Sequence, residues 1–153
     1  MRANANCRSD YLHFHSITTR WLDNDAYGHV NNVVYYHWFD TIVNALLIQN
    51  RVLDVDASAV IALVIETGCH YFSPIAFPQR VTAGLRVASL GKSSIRYEIG
   101  IFREDEDVAS AQGFLVHVAV DRVTRRPVDI PDAMRALLMP LLFPSTSPPS
   151  SPS

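Results

Sequence analysis

The sequence predicts an α+β fold in which an antiparallel β-sheet wraps around one long α-helix. Apolar residues recur at helical spacing in a single long segment, which runs from Asn31 or Asn32 to about Asn50. Strand-like patterns precede this segment once and follow it four times, which gives the order β-α-β-β-β-β. A helix that is apolar around most of its circumference is buried when strands with one apolar face cover it.

Local signals indicate the helix and the strand before it. Residues 12–21 alternate around β-branched side chains, which is typical of a strand. Asn is a good helix N-cap, because its side chain accepts a hydrogen bond from a free N–H group of the first turn. The apolar positions of the helix are Val34, Trp38, Ile42 and Ala45, and its polar stripe consists of Tyr36, Asp40 and Asn44.

Apolar runs and alternation predict the later strands. They cover residues 59–72, 81–88, 95–101 and 114–120. Gly91 predicts a hairpin between two of these strands, and the charged block 103–107 predicts a second hairpin loop. Pro131 is expected at the first turn of a short helix over residues 132–139.

Length and composition favour one small domain. The chain has 153 residues, of which 48% are hydrophobic and 18% are charged, so it is apolar even for a globular protein. We therefore expect a partner subunit to cover part of its surface, in a homodimer or a homotetramer. The domain is predicted to span residues 1–143. The Pro- and Ser-rich segment 144–153 is expected to be disordered, because it cannot bury enough surface to offset its ordering entropy.

Charge and cysteine content argue against several functional classes. The net charge is −2 and no face-sized cluster of Lys and Arg is present, so nucleic acid is not an expected partner. The two cysteines, Cys7 and Cys69, do not make a disulfide framework, and the N-terminus shows no apolar segment of signal-peptide length. We therefore expect a cytoplasmic protein. No apolar run reaches the length of a membrane span, and no membrane association is expected.

The turn between the first strand and the helix carries the residues most suited to chemistry. It places two carboxylates, a Gly-His pair and two Asn residues immediately before the helix, from Asp23 to Asn32. The first N–H groups of a helix have no intrahelical acceptor and lie at the positive end of the helix dipole. A carbonyl oxygen that gains negative charge beside them would be stabilised, so the turn indicates an acyl-transfer site.

The run DNDAYGHVNNVVYY resembles the turn of the hotdog-fold acyl-CoA thioesterases of the 4-hydroxybenzoyl-CoA thioesterase type. The family pattern there is roughly D-x-D-x-x-G-H-V-N-N-x-x-Y. The similarity continues through residues 66–74 and 90–94, and it covers about residues 14–140. This resemblance implies the hotdog fold and the hydrolysis of a thioester between an acyl group and coenzyme A. Coenzyme A is then part of the substrate, and no separate cofactor is expected.

Asp25 is the predicted catalytic carboxylate, because it matches the second Asp of the family motif. In the family this residue acts as a nucleophile or as a general base for water. Both roles need an ionised carboxylate beside the thioester carbon. The alternative for Asp25 is a turn or a helix cap. Asp23 is the rival carboxylate, and we expect it to be structural or peripheral.

The backbone around Asn32 and Gly28 is the candidate oxyanion hole. His29 is a candidate general acid, or a residue that orients the carboxylate. Each has a simpler alternative: Gly28 would serve a turn with positive φ, and His29 would be a hydrogen-bonded loop residue.

The hairpin after Gly91 is the candidate coenzyme A contact, because the corresponding family segment lies near the CoA groove. Its residues are Lys92, Ser93 and Ser94. An ammonium and hydroxyl groups suit phosphate and pantetheine amides, although a polar hairpin needs no ligand. The side chains expected to set the depth of the acyl pocket are Tyr35, Trp38, Phe72 and Phe77. No metal site is predicted, since His13 and His15 lack further ligands in a recognised spacing.

Two other functions stay open at this point. One is a hotdog hydratase or dehydratase acting on acyl-CoA or acyl carrier protein, although the spacing of Asp25 and His29 does not match the acid–base pair such enzymes use. The other is a non-catalytic module that binds acyl-CoA or an acyl carrier.

Overall fold

One long helix packs against a face of a five-stranded antiparallel sheet, as the residue pattern predicts. The structure is a computed structural model, and it describes residues 4–143. Its main elements are β1 (His13–Thr18), α1 (Asn32–Gln49), β2 (Val60–Tyr71), β3 (Arg80–Leu90), β4 (Ser94–Arg103), β5 (Ala111–Asp121) and α2 (Asp132–Leu138). The predicted order is confirmed, and this is the hotdog architecture. The predicted disordered segment 144–153 lies outside the described residues.

The strands follow the order β1-β3-β4-β5-β2, and every neighbouring pair is antiparallel. Two rows of paired residues define the ends of the sheet. At one end, Ala111 of β5 lies opposite Ile101 of β4 and Tyr71 of β2, and we call this the Tyr71 end. Towards the other end, Val118 lies opposite Ser94, and we call this the Ser94 end. The two rows are separated by seven residues of β5, which is roughly 23 Å at about 3.3 Å per residue.

Helix α1 begins at the Tyr71 end and buries a broad apolar face. Its buried residues are Tyr35, Trp38, Phe39, Ile42, Val43, Leu46 and Leu47. The predicted polar stripe is confirmed as the exposed or half-buried side of the helix. In the part of the chain that is described, no helix combines the length and apolarity needed to cross a membrane.

The N-terminal segment crosses the opposite face of the sheet, a feature the residue pattern does not predict. The N–H group of Asn6 donates to the side chain of Gln112 on β5 at 2.7 Å. The ring of Tyr11 lies over Gly84 and Gly100, whose missing side chains leave space for it. This segment therefore extends the core to the second face of the sheet.

Candidate active site

The residues between β1 and α1 form a tight loop that is fixed mainly by backbone hydrogen bonds. Asp25 N–H donates to the carbonyl of His29 at 2.8 Å, and Gly28 N–H donates back to the carbonyl of Asp25 at 3.0 Å. Gly28 has φ of 79°, a left-handed conformation that glycine adopts at little cost. The loop is joined to residues 72–79, since Val30 N–H donates to the carbonyl of Ile75 at 2.7 Å. The position of Asp25 is therefore set by the backbone on both sides.

The two carboxylates of the loop have different surroundings. Asp23 is 1% exposed, and it accepts hydrogen bonds from the backbone and guanidinium of Arg20 at 2.7–3.1 Å. Asp25 is half-buried, and its Oδ1 accepts from Tyr27 N–H at 2.8 Å. Among residues 4–143, no donor is found for its Oδ2. Asp23 is thus a structural residue, whereas Asp25 keeps one oxygen available to a ligand.

The start of α1 includes a backbone N–H group that has no acceptor among the described residues. Asn31 is the N-cap: its Oδ1 accepts from Val33 N–H at 3.1 Å, and its carbonyl accepts from Val34 N–H at 3.0 Å. Within the described chain, no acceptor is found for the N–H of Asn32, the first residue of the helix. This free N–H lies at the positive end of the helix dipole, which favours a developing oxyanion.

A cavity of about 440 Å³ opens beside Asp25 and the start of α1. It is lined by Asp25, His29, Val30, Asn32, Tyr35, Tyr71, Phe72, Ser73 and Pro74. Four of the predicted site residues therefore come together: Asp25, His29, Asn32 and Tyr35. Of the side chains expected to set pocket depth, Phe72 also lines the cavity, whereas Trp38 is buried and Phe77 packs against Trp21.

The second wall of the cavity comes from the end of β2 and the residues after it. Tyr71 and Ser73 were not among the predicted site residues. The Tyr71 hydroxyl donates to the carbonyl of Asn32 at 3.2 Å, and its ring packs edge-on against Tyr35 with centroids 5.0 Å apart. In the sequence, an aromatic residue shortly before the Ser-Pro pair that follows a strand is only a weak indication of a site residue. The strand order is what brings Tyr71 to the start of the helix.

Burial keeps the phenols and the thiol around the cavity protonated. It raises the pKa of Tyr35 to about 12 and the pKa of the Cys69 thiol to about 11. Burial likewise raises the pKa of Tyr71, and the neighbouring Cys69 and Tyr36 raise it further. These groups therefore act as hydrogen-bond donors rather than as bases, and Asp25 is the one carboxylate that lines the cavity among the residues described.

The remaining predicted site residues lie away from the cavity. Gly28 does not line it, and a side-chain carbon added at Gly28 would meet nothing within 4 Å. The hairpin formed by Lys92, Ser93 and Ser94 is at the Ser94 end of the sheet, far from the cavity of the same chain. Lys92 is 83% exposed, and its ammonium lies 3.9 Å from the carboxylate of Asp129.

His29 contributes its carbonyl to the loop and its exposed side chain to the cavity wall. No hydrogen bond of its imidazole is found among the residues that the structure describes. His13 and His15 have no third ligand nearby, since residues 4–143 contain no group of three or more His, Cys, Asp or Glu residues suited to a metal ion.

Known proteins resemble this chain in sequence and in fold. The family model of the thioesterase-like superfamily matches residues 19–138. The chain is similar to the PA5185 protein of Pseudomonas aeruginosa strain PAO1, with 52% identity and a TM-score of 0.89 over 91% of this chain and 97% of that one. The PA2801 protein of Pseudomonas aeruginosa, proposed to be a thioesterase, is 28% identical with a TM-score of 0.75, over 82% and 97% of the two chains.

A more distant similarity concerns the fold alone. The SAV2348 protein of Staphylococcus aureus, whose structure was solved in complex with CoA, is 17% identical with a TM-score of 0.77, and the match covers 90% of this chain and 89% of that one. A search of curated proteins finds no match.

Proposed function

The chain belongs to the thioesterase-like superfamily and is a thioesterase, and we propose that it hydrolyses acyl-CoA with Asp25 as the catalytic carboxylate and the Asn32 N–H as the donor to the thioester oxygen. The acyl group occupies the cavity beside these two residues. Asp25 either attacks the thioester carbon or removes a proton from the attacking water. The acid and free CoA are the products.

One observation supports this proposal above the others: Asp25, which has a free carboxylate oxygen, and Asn32, whose N–H has no acceptor among residues 4–143, line the same cavity. A tetrahedral intermediate needs both groups, because the nucleophile must be activated while the carbonyl oxygen becomes negative. A well-placed oxyanion donor lowers the barrier by about 2.7–4 kcal/mol. The family resemblance of the loop and the CoA bound to a structural neighbour agree with a CoA thioester as substrate.

The same proposal includes a homodimer formed through β2. This strand lies at an edge of the sheet and pairs only with β5 among the described residues. Its middle exposes three apolar side chains, Leu63 (37%), Val64 (46%) and Ile65 (60%). A long edge strand with no Pro or Lys is prone to pair with another strand. A second copy of this chain provides such a strand with two-fold symmetry.

Antiparallel pairing of two β2 strands explains how the Lys92 hairpin reaches a substrate. The Tyr71 end of one sheet then lies beside the beginning of β2 in the partner subunit. The hairpin at residues 91–94 belongs to that end of the sheet. The hairpin of one subunit is therefore placed toward the cavity of the other. Lys92 would contact CoA across the interface, while Asp25 and Asn32 act within their own chain.

A panel of acyl-CoA thioesters with free-thiol detection tests the reaction. The expected result is release of free CoA from at least one acyl class at a rate well above spontaneous hydrolysis. A hydratase or dehydratase would change the absorbance of an enoyl-CoA without releasing thiol. A binding module would bind the thioesters and leave them intact. Either of these two results would refute the proposed hydrolysis.

The dimer is tested by light scattering of the full chain. We expect about twice the chain mass of 17.1 kDa at micromolar concentration. Ile65→Arg should shift the mass toward that of a monomer, because it places a charge in the apolar edge of β2. Leu12→Arg is the matched control, since Leu12 is an exposed residue just before β1, at the opposite edge of the sheet from β2, and it should leave the mass unchanged. A wild-type mass near 17.1 kDa would contradict the dimer.

Replacing Lys92 tests the role of the hairpin. Lys92→Ala should raise KM by a modest factor and leave kcat nearly unchanged, because it removes binding energy from the ground state and the transition state equally. Steady-state kinetics with one acyl-CoA measures both constants. Asp129→Asn removes the exposed ion pair but keeps the ammonium, so it should not raise KM. A large fall in kcat with unchanged KM would show that the hairpin takes part in the chemistry instead.

A further inference from the structure

Tyr71 holds the start of α1 in position. It is the last residue of β2, 40% exposed, and it lines the same cavity as Asp25. Its hydroxyl donates to the carbonyl of Asn32 at 3.2 Å. Its ring packs edge-on against Tyr35, one turn further along the helix. One side chain thus links the end of the sheet to the first two turns of α1.

Two backbone hydrogen bonds hold the residues just before the helix. Asn31 N–H donates to the carbonyl of Asp23 at 2.9 Å, and Val30 N–H donates to the carbonyl of Ile75 at 2.7 Å. Both are backbone bonds made by residues that precede the helix. Tyr71 instead contacts the first turn itself, from the cavity side. It therefore restrains the first turn directly, whereas the two backbone bonds restrain only the residues before it.

We propose that Tyr71 is a positioning residue that keeps the Asn32 N–H aimed at the thioester oxygen. The inference rests on the proposed function, because it assumes that this N–H is the oxyanion donor. The stabilisation by such a donor depends on its distance and angle to the developing oxyanion. Without the Tyr71 hydroxyl, the first turn moves more freely and the donor is held less well. The effect falls on the transition state, in which the oxygen carries its negative charge.

Tyr71→Phe is the direct test, because it removes one oxygen and keeps the ring that packs against Tyr35. We expect kcat to fall roughly three- to tenfold, the rate equivalent of one ordinary hydrogen bond, with KM and the melting temperature nearly unchanged. Amide hydrogen exchange at Val33 and Tyr36 in the first turns of α1 should become faster. The exchange measurement does not depend on turnover.

Tyr11→Phe is the matched control. It also removes a hydrogen-bonded hydroxyl, in this case one that accepts from the side chain of Asn6 at 3.1 Å on the far face of the sheet. Its kcat and the exchange rates in α1 should equal those of the wild type.

Three results would overturn the assignment of Tyr71. Unchanged kcat and exchange in Tyr71→Phe would show that the hydroxyl positions nothing. A raised KM with normal kcat would make Tyr71 a substrate contact. A fall in kcat with unaltered exchange at the helix start would show that the Tyr71 hydroxyl affects catalysis without holding Asn32 in position. If the wild-type chain hydrolyses no thioester, the proposed function fails, and the exchange rates alone decide whether Tyr71 holds the helix start.

Discussion

Asp25→Asn should lower kcat by at least about 10²-fold while leaving the melting temperature nearly unchanged. The substitution removes the negative charge that a nucleophile or a general base requires. It keeps the side-chain oxygen that accepts from Tyr27 N–H at 2.8 Å, so the local turn survives. Steady-state hydrolysis of an acyl-CoA and a thermal unfolding curve measure the two effects separately.

The size of this effect follows from the surroundings of Asp25. Its half-buried side chain lines the cavity, and one of its oxygens accepts only from Tyr27. Besides Asp25, the groups lining the cavity that can titrate are the His29 imidazole and the phenols of Tyr35 and Tyr71, and burial keeps the phenols protonated. Within residues 4–143, no second carboxylate lines the cavity and could take over the role of Asp25.

Two further variants serve as controls for Asp25→Asn. Asp56→Asn changes an exposed Asp in the loop between α1 and β2, and it should have wild-type kinetics. Asp23→Asn should instead lower stability, because Asp23 is 1% exposed and pairs with Arg20. The folded fraction of that variant should retain most of the activity. Near-normal turnover in Asp25→Asn, or a larger loss per folded molecule in Asp23→Asn, would show that Asp25 is not the catalytic carboxylate.

The helix and the strands could be predicted because their signals are local. Apolar residues at helical spacing in residues 34–45 and alternation in the strands need no long-range information. The structure places α1 at Asn32–Gln49 and β2 at Val60–Tyr71, within a residue or two of the predicted bounds. The N-terminal segment was not predicted, because its contacts with Gln112 and the two sheet glycines join residues far apart in the chain.

Only one wall of the candidate site could be predicted from the sequence, namely the loop with Asp25 and the start of the helix. The loop with Asp25 and the helix start are continuous in sequence, so a motif describes them together. Tyr71 reaches Asn32 across 39 positions of the chain, and only the strand order places it there. The motif also could not decide which of two adjacent Asn residues caps the helix. The structure assigns the cap to Asn31, and the N–H of Asn32 then has no acceptor in the described part of the chain.

Gly113→Ala should destabilise the fold strongly, by about 3 kcal/mol or more, although it adds one methyl group to a small residue. Gly113 lies on β5 opposite Cys69 of β2 and directly under the ring of Phe39 of α1. An added Cβ would lie 2.3 Å from the carbonyl oxygen of Gly68 and 2.5 Å from the ring of Phe39. Overpacking of a well-filled core usually costs about 1–3 kcal/mol, and here a backbone atom is one of the obstacles.

The clash at Gly113 cannot be relieved without a substantial loss of stability. Moving the Gly68 carbonyl disturbs the pairing between β2 and β5, and moving Phe39 shifts the fully buried centre of α1 away from the sheet. For a domain of this size, a loss of about 3 kcal/mol lowers the melting temperature by roughly 6–12 °C. Calorimetry or thermal unfolding followed by circular dichroism measures this change.

Gly91→Ala is the matched control for the added methyl group. Its Cβ would lie 2.7 Å from the Ser94 hydroxyl oxygen, and that side chain can rotate away, so the melting temperature should change little. Phe39→Leu combined with Gly113→Ala should recover only part of the loss, because the Gly68 carbonyl still blocks the new methyl group. A Gly113→Ala variant as stable as Gly91→Ala would mean that α1 does not pack on the sheet as closely as the contact between Phe39 and Gly113 requires.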